Sequence, residues 1–260
     1  MRAIKVLLLI PLCLNFVTGQ AAQAASYPQR VAQGLKVTVQ APQLRAFWAV
    51  TGLGVLVSLP LDQATQRFAT RQGLMPESLA RVAYQWGGGW SEIGILPGIL
   101  VAEALRGSPR AEIGQRLEFA FTSLVVVGIS TEIIKAVVGR PRPDKNARTS
   151  FPYGHSFPSG HASATFAIAE VIRTLYGNGP GAVFYTLAAL TGISRIHDNK
   201  HYLSDVVAGA GLGLGLVRGF ALAQGLSRRG FSTYMQLLPA GVGFVLQWDL
   251  ARQNPAASSR

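Results

Sequence analysis

Apolar residues gather in six stretches: Ala46–Leu61, roughly Ile93–Leu105, Phe119–Val138, Ala162–Tyr176, Ala182–Ile196 and Val206–Leu222. Five or six such stretches in a row predict an all-α bundle of about six membrane helices. Several fall short of the ~20 residues that a full crossing usually needs. Glu103, Glu132, Glu170 and Arg173 lie in or beside them, which leaves room for a partly buried soluble bundle. The breaks are turn-like. Gly107-Ser108-Pro109 separates the second stretch from the third, and Gly177–Gly181 predicts a tight helical hairpin between the fourth and fifth. The sixth carries Gly209/Gly213 and Gly211/Gly215. Small residues four apart let helix backbones approach closely, so this run is read as packing. No strand precedes it to support a phosphate loop. Residues Phe231–Leu250 predict a short β-hairpin around Pro239–Gly241, and the chain after Asn254 is small and polar.

The first residues follow another pattern. Arg2 and Lys5 precede an apolar run, Val6–Val17, and then Ala22-Gln23-Ala24. This is the layout of an export signal cleaved after Ala24, with an uncleaved anchor helix as the alternative. The expected organisation is a signal-like segment over 1–24, N-terminal bundle helices over 25–112, a catalytic core over 113–228 and a tail over 229–260.

Composition sharpens the class. Of 260 residues 49% are hydrophobic and only 14% charged. Soluble domains average about 25% charged, so an ordinary cytosolic enzyme and a disordered chain are both disfavoured. The net charge of +12 fits arginines at lipid headgroups or an anionic substrate. The basic residues are spread along the chain, so no nucleic-acid partner is expected. The single cysteine, Cys13, admits no internal disulfide and no cysteine-based zinc site.

The chemistry is concentrated between residues 135 and 205, where all four histidines fall. Lys135 lies near the end of the third stretch, followed by Arg142-Pro143. Pro158-Ser159-Gly160-His161 opens the fourth. Ser194-Arg195 closes the fifth, and His201 and Asp205 open the sixth. In an up-and-down bundle these ends share one membrane face. Lys135, Arg142 and Arg195 then bring three cations to the oxygens of one phosphate. Ser159 caps a helix N-terminus and Gly160 lets a backbone N–H approach, which makes an anion site. His201 and Asp205, four apart, share a helical face. The carboxylate can hold one ring nitrogen protonated and free the other as nucleophile. His161 remains as general acid. Singly, each residue has a plainer use. Lys135 can pair with Glu132, Arg142 and Arg195 can anchor headgroups, Ser159 can be a cap alone, and His197 with His201 can ligate a metal, although no H-E-x-x-H pattern accompanies them.

The three clusters resemble the signature of the type 2 phosphatidic acid phosphatase and vanadium haloperoxidase superfamily: K-x6-R-P, P-S-G-H and S-R-x5-H-x3-D. All eleven fixed residues are present, in order. The resemblance implies a metal-independent phosphatase with no cofactor and a phosphohistidine intermediate. In it His201 attacks, Asp205 orients, His161 protonates the leaving group, and Lys135, Arg142, Ser159, Gly160 and Arg195 bind phosphate oxygens. It implies a membrane lipid-phosphate substrate, of the phosphatidic acid, phosphatidylglycerol phosphate or isoprenyl diphosphate class. A periplasmic acid phosphatase on soluble monoesters and a vanadium-dependent haloperoxidase are the alternatives, with a non-enzymatic membrane protein beyond them. His155, His197, Arg140 and Asp198 match no fixed position and are expected at the rim. Near span ends, ten lysines and arginines outside the signature lie on the side opposite the site and seven on its own side. The positive-inside rule then points to a site facing the periplasm from a bacterial inner membrane, while a cleaved signal followed by six spans points inward.

Overall fold

The structure, a computed structural model, describes residues 26–144 and 155–226, together with the backbone of 232–238 and 241–247. The signal-like segment over 1–24 lies outside the described residues. The order is α1 (Tyr27–Gln40), α2 (Pro42–Ser58), α3 (Asp62–Gln72), α4 (Glu77–Gln85), α5 (Ser91–Leu105), α6 (Arg110–Val138), α7 (Gly160–Tyr176), α8 (Asn178–His197) and α9 (Leu203–Ala223). A 3-10 turn (Leu59–Leu61) joins α2 to α3, and a π-helical turn (Trp86–Trp90) joins α4 to α5. In the tail, the backbones of β1 (Ser232–Leu238) and β2 (Gly241–Gln247) pair antiparallel. The turn expected at Pro239–Gly241 includes residues outside the described ones.

Local chemistry sets the helix ends. Pro42 starts α2 at the first helical position, where its missing N–H costs nothing. Gly139 ends α6 in the left-handed conformation at φ 61°. Every expected apolar stretch falls on a helix, but the hairpin between the fourth and fifth is tighter than expected. Only Gly177, at φ 94°, separates α7 from α8. Pro180 lies within the first turn of α8, where amide protons have no intrahelical partner and a proline is tolerated.

Among the described residues, three helical runs are long and apolar enough to cross a membrane: Pro42–Gln72, Arg110–Val138 and Leu203–Ala223. Helices α5 and α7 have 15 and 17 residues. At 1.5 Å per residue they reach only about 22 and 25 Å, below the ~30 Å hydrocarbon core. Each also holds a buried carboxylate that is met by partners. Glu103 on α5 accepts from Ser108 Oγ at 2.7 Å and Arg106 Nη1 at 3.2 Å. Glu170 on α7 accepts from Arg173 Nε at 3.0 Å and Arg218 Nε at 3.2 Å. A buried carboxylate paired in this way avoids most of its desolvation cost. Large apolar side chains such as Leu53, Leu56, Val57, Ile129, Ile133 and Val137 face outward instead. So extensive an exposed apolar surface suits lipid as the surrounding solvent.

Helix α7 is the hub, packed by α6, α8 and α9, while α9 also packs on α1 and α2. Phe119 and Val127 of α6, Ile168 and Val171 of α7, and Val217 and Phe220 of α9 form the buried centre. The glycines of α9 work as two seams. A Cβ on Gly209 or Gly213 would stand 2.5 or 2.3 Å from the carbonyl oxygens of Ser159 and Ser163 on the α7 side. One on Gly211 or Gly215 would strike Thr51 or Trp48 of α2. Gly213→Ala should therefore lower stability by about 1–3 kcal/mol through overpacking against backbone that cannot swing away. Gly128→Ala, on the exposed face of α6 with nothing within 4 Å, is the control and should lose none. Thermal midpoints in detergent compare the two; equal midpoints would remove the close-packing account.

Candidate active site

The helix ends bring the signature residues to one end of the bundle. Thr131 Oγ1 on α6 donates to Ser163 Oγ on α7 at 3.0 Å, deep in the core. Lys135 lies one turn beyond Thr131, and Ser159 one turn before Ser163. This polar rung therefore sets Lys135 beside the start of α7. A Cβ on Gly160 would stand 3.1 Å from Lys135 Nζ, so glycine leaves room for the ammonium. Ser159 caps α7 by accepting from the Ala162 N–H at 3.5 Å, and its own N–H donates to the Asp205 carbonyl at 2.9 Å.

A cavity of about 280 Å³ opens there, lined by Tyr84, Arg142, His161, Arg195, Asp198, Lys200 and His201. Four of the eight expected site residues, His161, His201, Arg142 and Arg195, form its wall. Lys135, Ser159, Gly160 and Asp205 stand behind it. Three nitrogens on wall residues are buried without a partner among the described residues: Arg142 Nε, His161 Nε2 and Arg195 Nη1. The other guanidinium end of Arg195 is held, with Nη2 donating to Asp198 Oδ2 at 2.8 Å and the Tyr84 ring 4.7 Å beneath. Lys135 Nζ donates to Glu132 Oε1 at 2.6 Å, so the plainer i, i+3 pairing exists alongside its place behind Gly160.

His201 is held from behind. Its Nδ1 lies 2.8 Å from the Ser156 carbonyl oxygen and 3.7 Å from Asp205 Oδ2. An N–H on Nδ1 therefore donates first to a backbone carbonyl. Asp205 Oδ2 instead accepts from the Ser156 hydroxyl and, at 2.8 Å, from the Tyr202 N–H. The direct carboxylate–imidazole bond expected from the i, i+4 spacing is thus relayed in part through Ser156. Burial lowers the His201 pKa, and the Asp205 carboxylate opposes that fall. His161, at the mouth of α7, has its pKa pushed down to about 4, by burial first and then by the charge of Arg195 and the neighbouring His201, Lys135 and Arg142. The Tyr84 ring stacks on it, with centroids 5.6 Å apart.

The four residues expected at the rim divide. Asp198 lines the cavity and holds Arg195. Arg140 lies behind the site, donating to Asp205 Oδ1 at 2.8 Å. His155 Nδ1 approaches the Lys135 carbonyl oxygen at 2.8 Å. His197 Nδ1 accepts from the Leu74 N–H at 3.0 Å, tying the α3–α4 loop to the end of α8. Asp62, Tyr84 and Ser156 belong to the site region without having been expected. Tyr84 and Asp62 come from helices far upstream of the signature, and Ser156 carried no signal beyond its nearness to Pro158.

Known proteins resemble this chain over part of its length. A lipid A 1-phosphatase of Porphyromonas gingivalis is 36% identical over 104 residues, covering 39% of this chain and 22% of the relative. Lipid phosphate phosphatase 2 of Arabidopsis thaliana is 35% identical over 130 residues, covering 35% and 44%. The chain thus spans less than half the length of these relatives. Among solved structures, a transmembrane PAP2-type phosphatidylglycerolphosphate phosphatase of Bacillus subtilis superposes with a TM-score of 0.50 at 19% identity, covering 74% of this chain and 94% of its own, a likeness of fold. The model of the PAP2 superfamily matches residues 117–229, the part of the chain that carries Lys135, His161, Arg195, His201 and Asp205.

Proposed function

We propose that this chain is a membrane phosphatase that hydrolyses lipid phosphates through a phosphohistidine, without a metal ion. The observation that carries this is a set of three buried nitrogens without partners among the described residues, Arg142 Nε, His161 Nε2 and Arg195 Nη1, on the wall of the cavity that His201 also lines. A buried polar nitrogen left without a partner is costly, and a tetrahedral anion would satisfy all three at once. With Nδ1 engaged by the Ser156 carbonyl, His201 has Nε2 for the phosphorus. Nε2 attacks, the bond to the leaving oxygen breaks, and His161 gives that oxygen its proton. Water then cleaves the P–N bond, returning a proton to His161. Burial first, and then the surrounding cations, disfavour a proton on His161; an arriving phosphate anion offsets the cations and so favours the charged acid as substrate binds. Lys135, Ser159 and Gly160 act in this reading as a second layer around the anion, and Asp205 orients the nucleophile.

The relatives named for lipid A and lipid phosphates, together with the outward apolar belt, support a lipid substrate entering from the bilayer. In the same reading six helices traverse or dip into a bacterial inner membrane, residues 1–24 direct export, 113–228 form the catalytic core, and the site faces the periplasm. Phosphate release across phosphatidic acid, phosphatidylglycerol phosphate, an isoprenyl diphosphate and p-nitrophenyl phosphate tests this, with EDTA throughout. Faster turnover of one or more lipids, undiminished by EDTA, is the expected result. Turnover of the soluble ester alone, or loss in EDTA rescued by zinc, would overturn it.

A further inference from the structure

Asp62 opens α3, directly beyond the lipid-facing α2 and well outside the residues matched by the family model. It is only 2% exposed. Its carboxylate accepts three hydrogen bonds, all from the catalytic end of the bundle. Oδ1 accepts from the Ser204 N–H at 2.9 Å. Oδ2 accepts from Ser204 Oγ at 2.6 Å and from Arg140 Nη2 at 2.7 Å. Arg140 turns its other amino group toward the site, where Nη1 donates to Asp205 Oδ1 at 2.8 Å and Ser204 Oγ at 2.7 Å. The Tyr202 ring lies 4.0 Å from the guanidinium carbon. One guanidinium is thus divided between two buried carboxylates, and one of these, Asp205, stands 3.7 Å from the Nδ1 of His201.

We infer that Asp62 and Arg140 are positioning residues, which hold Asp205 in place and set how much of its charge reaches His201. The inference rests on His201 being the nucleophile. A planar fork that spans two carboxylates fixes both in orientation, which a packing contact would not do. The charge effect has a defined sign. If Arg140 is neutralised, Asp205 keeps its full charge and draws a proton onto His201 more strongly. If Asp62 is neutralised, the undivided charge of Arg140 falls on Asp205 and weakens that pull. The other charged or titratable groups near His201 are Arg142 and Lys200 on the cavity wall, His161 of α7, and Arg195 and Asp198 at the end of α8, with Lys135 of α6 acting on His161. Both substitutions leave these in place.

The test uses the full chain in detergent with one lipid phosphate throughout. In Asp62→Asn the acid limb of kcat/KM should move to lower pH, and in Arg140→Met to higher pH, each by about half a unit or more. Turnover should fall about tenfold, the scale of coupling inside one buried network, with KM little changed. Arg140→Lys should bring the limb back toward the wild-type position without restoring kcat, because an ammonium cannot bridge both carboxylates. Limbs that stay at the wild-type pH in both neutralising variants overturn the inference. Should a variant fail to fold, the wild-type chain labelled with ¹⁵N-histidine still decides. A neutral His201 ring must carry its proton on Nδ1, and a proton on Nε2 overturns the inference. His201→Ala separates the two levels. If that variant turns over normally, the nucleophile assignment is wrong; if it is dead while the limbs do not move, only the role of Asp62 and Arg140 falls.

Discussion

His201→Ala should stop phosphate release by at least about 10⁴-fold, the scale seen when a nucleophile is removed from a unit that acts together. The ring is buried beside Ser156 and lines the cavity, with Nδ1 committed to a backbone carbonyl. No other imidazole is held in this way at that wall. His161 faces the same cavity, but its Nε2 has no partner among the described residues, so that ring is not fixed as His201 is. The folded state should survive the substitution, since the cluster of Asp205, Arg140 and Asp62 behind the ring keeps its own hydrogen bonds. Rapid quenching of the wild-type chain with radiolabelled substrate should trap a phosphoryl label that is stable to alkali and lost in acid. The variant should trap none. Normal turnover in the variant, or an undiminished label, would remove His201 from the chemistry.

Arg195→Lys should cost about 10²–10³-fold in kcat, comparable to deleting one donor that faces a developing oxyanion. The residue is 3% exposed. Asp198 holds Nη2 at 2.8 Å and Tyr84 supports the face of the guanidinium, which leaves Nη1 without a partner among the described residues. A lysine in the last turn of α8 can satisfy Asp198 or reach for the anion, but its single centre cannot do both in the same plane. Most of the loss should appear in kcat, because Arg142 and the remaining cations still draw the substrate in. Turnover within a few fold of wild type would mean that Nη1 does not meet the phosphate.

The candidate chemistry was legible from the sequence because it rests on short intervals next to helix ends. Lys135, Arg142, His161, Arg195, His201 and Asp205 each sit where an apolar stretch begins or stops, and helices that alternate in direction bring those ends together. The two glycine pairs of α9 were also legible, since a four-residue spacing of small side chains has one common structural use. The tight α7–α8 hairpin was not, because the sequence signals a break without saying how many residues it takes. The shortness of α5 and α7 was visible, but their partners for Glu103 and Glu170 were not.

Residue identity and spacing along the chain thus predicted a helical, apolar molecule and the side chains that gather around its cavity. Tertiary structure decided what stands around those side chains: Tyr84 under Arg195 and His161, Ser156 between Asp205 and His201, and Asp62 joined to Arg140 across 78 positions of sequence. A helix repeats every 3.6 residues, so pattern reports what lies within a turn or two. Which distant carboxylate meets which guanidinium depends on how whole helices pack, and no local interval records that.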